Sequence, residues 1–132
     1  MDLSSLILKV RGNLSDIPLS YISDDSVFND IRRATKFVEL IKSDFAAEDK
    51  VETGIEFLAT YYTYVTWTVI AEVDRGEIPY SIIQRAKNLK SDARAYLQLI
   101  SDYPIGEDLN IEPEKLAGHV FTFGLTSTII GD

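Results

Sequence analysis

The chain has 132 residues, 45% of them hydrophobic and 26% charged, with no cysteine and a formal net charge of −8. That length supports one modest core, and the composition is that of a globular protein. The missing cysteines exclude a disulfide framework and a thiolate zinc site, and the acidic balance argues against gripping nucleic acid through its phosphates, which needs clustered Lys and Arg.

The first stretch, Met1 to Leu14, lacks a basic start and has only a short apolar run, so it does not read as a signal peptide. Leu3, Leu6, Ile7 and Val10 share one helical face over residues 3–11, and Gly12-Asn13 is a plausible stop. Residues 13–23 read as a loop, because Pro18 forces Ile17 out of helical geometry. Leu14, Ile17, Leu19, Tyr21 and Ile22 make that loop apolar, so it is expected to pack on the body of the protein.

Ser23-Asp24-Asp25-Ser26 opens a second helix: a short polar side chain accepts a free amide hydrogen, and the acids suit the positive end of the dipole. Val27, Ile31, Ala34 or Thr35, Val38, Ile41 and Phe45 are its inward positions by spacing. Arg32, Arg33 and Lys36 fill the outer face, either as solvated charge or as a basic patch that meets an acidic neighbour.

Val51 to Arg75 organises the rest. Its inner residues, 57–71, carry no charge, and positions 51, 55, 58, 62, 65, 69 and 73 keep one face in register. Phe57, Tyr61, Tyr64, Trp67 and Ile70 enrich the opposite face, which predicts a central helix with neighbours on most sides. Its aromatic set is either core on two faces or partly a contact for another chain, where Tyr and Trp are enriched. The uncharged run is too short and too polar to span a membrane, and a soluble, cytoplasmic protein is expected.

Gly76 suits the stop and Pro79 the first turn of a last helix that runs to about Asp102. Ile82, Ile83, Ala86, Leu89, Ala93, Tyr96, Leu97 and Ile100 are expected inward, and Arg85, Lys87, Lys90 and Arg94 outward. Short connections then predict a mainly α fold: a small up-down bundle of about four helices over residues 1–102, with the first helix lying across the other three. After Tyr103-Pro104-Ile105-Gly106 the composition turns acidic and linker-like, and residues 116–130 alternate and become β-branched. Residues 103–132 therefore read as a linker and a C-terminal β-like docking arm. A two-stranded hairpin alone is marginal in water, so it packs on the bundle or on an edge supplied by another chain.

No catalytic constellation appears. His119 is the only histidine and lacks an orienting partner nearby in sequence. Glu52, Glu56 and Glu72 lack the Glu-x-x-His pairs of a di-metal bundle, and the seven glycines form no phosphate cradle. No enzyme activity, metal or cofactor is expected.

Ser23-Asp24-Asp25-x-x-Phe28-x-x-x-Arg32-x-Ala34-x-x-Phe37-Val38-Glu39, the aromatic central helix, the Gly76 to Pro79 turn and a last helix carrying Arg85, Lys87 and Arg94 together resemble the head-tail connector (adaptor, or head-completion) proteins of long-tailed bacteriophages. The resemblance covers roughly residues 3–102. It implies a non-enzymatic virion protein at the head-tail junction, made in the host cytoplasm. Copies would pack as a ring, twelvefold to match the portal, with the portal protein and tail or head-completion proteins as partners. DNA would pass through without specific binding, and no membrane is involved. The arm residues Leu116, His119, Val120, Phe121, Thr122, Phe123, Leu125, Ile129 and Ile130 would bind the portal or a neighbour. Arg32, Arg33, Lys36, Tyr61, Tyr64, Arg85 and Arg94 are the candidate subunit interface. The alternative is an acidic helical module that binds or regulates another protein.

Overall fold

The computed structural model describes residues 2–17, 19–75 and 80–111, with the backbone alone at residues 19 and 70–75. Four helices follow in chain order: α1 (Leu3–Asn13), α2 (Asp24–Ile41), α3 (Glu48–Arg75) and α4 (Tyr80–Ile100). A single 3-10 turn, Leu19–Tyr21, lies between α1 and α2. The mainly helical bundle expected from periodicity is present. The arm residues expected to be β-like, 116–130, lie outside the described residues.

Local chemistry fixes the helix starts. The Asp2 carboxylate accepts from the Ser4 amide at 3.1 Å and opens α1. The Ser23 hydroxyl accepts from the Ser26 amide at 3.1 Å, and Asp24 and Asp25 occupy the first turn of α2. Helix α2 stops four residues earlier than its apolar spacing predicts. Lys42 is extended, and Phe45, expected inward, is 97% exposed in the connection to α3. Spacing alone cannot see that stop, because Ser43 and Asp44 compete for backbone hydrogen bonds that a further turn would need.

Helix α3 packs against α1, α2 and α4, as a helix apolar on most sides must. Ile55, Leu58 and Tyr62 are buried on one face and Tyr64 and Trp67 on another. The ends of α2 and α4 are tied together: the Ser43 amide donates to the Ile100 carbonyl at 2.7 Å, and the Asp102 amide to the Ile41 carbonyl at 2.8 Å. Their C-termini therefore share one end of the bundle, with α3 running antiparallel between them. Gly54 lets α3 approach that end closely. A Cβ there would lie 3.1 Å from Ile100 Cδ1 and 3.3 Å from Leu97 Cδ2, both side chains buried. The apolar loop before α2 packs as expected, with Leu14, Ile17 and Ile22 buried.

Composition alone reads residues 103–111 as linker. Residues 103–111 are a strap that belongs to the bundle, with Ile105 and Leu109 buried in its core. The strap folds back along α4. Gln98 holds the Tyr103 carbonyl at 3.1 Å and the Ile105 amide at 2.9 Å, and Arg94 holds the Ile105 carbonyl at 2.9 Å. A tight loop follows, closed by the Gly106 amide on the Asn110 carbonyl at 2.7 Å, and Ile111 returns antiparallel beside Ile105. Leu109 sits at φ 57° in this loop. The left-handed conformation costs a non-glycine residue about 1–2 kcal/mol. Burying a leucine returns about 1.5–3 kcal/mol, so the buried side chain holds the strained backbone.

Candidate functional site

The cations expected at a subunit interface divide into two groups. Arg85, expected to point outward, is a clamp within the chain. Its guanidinium pairs with Asp16, donates to the Asn13 carbonyl at 2.9 Å, and lies 5.0 Å from the centre of the Tyr64 ring. Tyr64 is only 2% exposed and packs against Trp67 at 5.4 Å, so it is core and not a free interface residue. Arg94, also expected outward, is half-buried and holds the strap. The arginine at 33 stacks over Tyr62 at 3.8 Å, while Arg32 lies 5.6 Å from the Phe28 ring. Arg32, Arg33 and Lys36 remain exposed along α2, and Tyr61 is half-buried beside Tyr62.

Electrostatics follow from these contacts. The Arg85 hydrogen bond holds the Asp16 carboxyl below its ordinary value of 3.8. Burial pushes the Tyr64 and Tyr62 phenols up, with Arg85 and Arg33 opposing the effect in turn. Asp30 was not foreseen as a core residue. It is 8% exposed, and its carboxylate accepts from the Thr63 hydroxyl at 2.9 Å. Burial raises its pKa above 3.8, only partly offset by Thr63 and Arg33. Its spacing was the available signal: three residues after Val27 and four before Ala34 put it on the inward face of α2.

Two more contacts fix α1. Asn13 Nδ2 donates to Glu56 at 2.9 Å and to the Thr60 hydroxyl at 3.1 Å. Arg11 reaches the Ile22 carbonyl at 2.6 Å and pairs with Asp24. Among the described residues no cluster of His, Asp or Glu could hold a metal ion, and no helix is long and apolar enough to cross a membrane.

Among the described residues grooves open on the surface, and one of about 270 Å³ between the end of α2 and the start of α3 is partly polar, with Glu39, Lys42, Glu48 and Glu52 in its lining. A groove of about 590 Å³ lies between α1 and the start of α2, lined by Ile7, Leu8, Arg11 and Ile22. Another, of about 210 Å³, lies between α3 and α4 and is lined by Tyr61, Thr68, Ile82, Ile83 and Ala86 together with Lys87 and Lys90. Ile83, expected inward, is 41% exposed there, and Tyr80 at the start of α4 is 74% exposed. The arm residues Leu116, His119, Val120, Phe121, Thr122, Phe123, Leu125, Ile129 and Ile130 lie outside the described residues.

Compared with known protein families, curated proteins and solved structures, the chain matches none.

Proposed function

We propose that the chain is a non-enzymatic structural subunit of a phage virion, a head-to-tail connector that assembles as a ring beneath the portal protein and links the DNA-filled head to the tail. One observation carries this reading. The strap is clamped to α4 through Gln98, Arg94 and Lys90, so residues 112–132 start from a rigid mount. An apolar segment tethered at a fixed point of a folded bundle is suited to hold a neighbour, because less of the chain has to be ordered on docking. The exposed cations on α2 supply a polar contact for an acidic neighbour of the same kind. The net charge of −8 suits a passage that DNA crosses without being gripped.

The test is truncation after Ile111. The shortened chain keeps its helical circular dichroism and cooperative melting but no longer assembles. Loss of helix on truncation, or unchanged assembly, rejects the arm as the assembly element.

A second reading draws on the groove between α1 and α2, where Leu8 is 71% exposed. An acidic helical module could present that groove to a basic protein. Such a module is a stable monomer whose binding is lost on Leu8→Asp and untouched by removal of residues 112–132.

A further inference from the structure

Among the described residues the outer stripe of α4 is half covered. Ile83, Lys87, Lys90 and Arg94 recur at steps of four, three and four, so they share one helical face. The C-terminal part of this face carries the strap: Arg94 binds the Ile105 carbonyl at 2.9 Å, and Lys90 binds Asp108 at 3.0 Å. The N-terminal part, around Ile83 and Lys87, lines the groove against α3. The groove is thus the continuation of a seat that already holds an extended, acidic-apolar segment of this chain.

The strap's own course determines which segment continues it. From Tyr103 to Asp108 the chain runs toward the N-terminus of α4, passing Gln98, Arg94 and Lys90 in turn. The antiparallel pairing of Ile105 with Ile111 then reverses it. At Ile111 the chain heads toward the C-terminus of α4, away from its own groove. The segment beyond is 21 residues long, and residues 112–115, Glu-Pro-Glu-Lys, precede the apolar run. The ten residues from Ile111 to Phe121 extend at most about 33–36 Å, enough to reach off the bundle. The chemistry also matches. The groove's volume of about 210 Å³ is below the roughly 300–1,000 Å³ of small-molecule pockets and fits one or two side chains. Its lining is aliphatic and aromatic apart from Thr68 and two lysines, of which Lys90 is already paired with Asp108 and Lys87 is exposed, while the arm offers Val120, Phe121, Phe123 and Leu125 behind two glutamates.

We infer that the groove between α3 and α4, lined by Tyr61, Ile82, Ile83 and Lys87, receives residues 116–125 of a second copy of this chain. This rests on the ring reading and names the contact that closes each subunit onto the next. Each copy gives one arm and takes one, a head-to-tail arrangement that makes a ring when the rotation closes.

The chain has no cysteine, so disulfide trapping is clean. Two full-length variants, Ile83→Cys and Phe121→Cys, are mixed under mild oxidation, and the double variant is oxidised alone. Leu8→Cys mixed with Phe121→Cys is the control, because Leu8 is exposed on α1. Native mass spectrometry of the unmodified chain gives the oligomeric state independently. The expected result is a two-chain disulfide product from Ile83→Cys with Phe121→Cys, several-fold above the control pair. A link only within single chains of the double variant overturns the inference, because the groove then holds its own arm. Oligomers without a link above control also overturn it and leave the ring reading intact. A chain that stays monomeric defeats the ring reading and this contact with it.

Discussion

Asp30 and Arg85 show how one buried contact decides the role of a charged residue. Asp30 is buried against Thr63, and its raised pKa means that the folded state holds a proton more tightly than the unfolded chain does. Its contribution to stability is therefore fully present below the unfolded value of 3.8 and is lost as pH rises through the folded value. Asp30→Asn keeps an acceptor for the Thr63 hydroxyl without the buried charge. It raises the melting temperature at neutral pH and flattens stability against pH just above 3.8; a lower melting temperature at neutral pH contradicts this. Asp16 behaves in the opposite sense. Its pKa is lowered by Arg85, so its contribution is present above 3.8 and is lost as pH falls through the folded value. Arg85→Ala removes that partner, the hydrogen bond to Asn13 and the stacking on Tyr64. The pair with Asp16 is exposed and contributes little, so the loss is about 1–2 kcal/mol, read from urea midpoints, and comes mainly from the other two contacts. An unchanged midpoint would place Arg85 free on the surface, as its sequence position implied.

At the scale of elements, periodicity and capping carried far. Ser23-Asp24-Asp25-Ser26 brackets the start of α2, and the two-sided apolar pattern of α3 identifies the hub of the bundle. The strap was not legible. Glu107, Asp108 and Asn110 give residues 103–111 the composition of a linker, yet Ile105 and Leu109 alone are enough to seat it. Two apolar residues four apart look the same in a linker and in a packed loop, and what separates them is the complementary row of Gln98, Arg94 and Lys90 on α4. The same limit hid the roles of Arg85 and Arg94, which sequence spacing places outward and tertiary partners recruit. Deleting residues 103–132 accordingly destabilises the bundle by about 2–5 kcal/mol or more relative to deleting 112–132, since each buried aliphatic side chain removed from a core costs on that order. Equal melting of the two truncations would mean that the strap contributes nothing. Close packing between α3 and α4 is equally testable. Gly54→Leu must push against Leu97 and Ile100 and costs about 1–3 kcal/mol by chemical denaturation; a variant as stable as the parent would show that the helices can separate freely there.

At the scale of the whole molecule, the bundle, the strap and the segment beyond it divide the work. The bundle supplies a rigid body, and the strap is held along α4 as far as Ile111, which pairs with Ile105. The connector reading gives the segment beyond the work of assembly, and makes the acidic surface a wall that DNA passes. It predicts no measurable binding to duplex DNA even at low salt, where phosphate contacts are strongest; binding that weakens steeply with added salt would indicate a basic grip instead. The central claim is that residues 112–132 join copies into a closed ring. The most direct measurement is the mass of the full chain and of the chain ending at Ile111, by native mass spectrometry across a concentration series. The account predicts one discrete closed oligomer for the full chain and a folded monomer for the shortened one. A full chain that stays monomeric throughout, or a shortened chain that assembles as well as the full one, would contradict it.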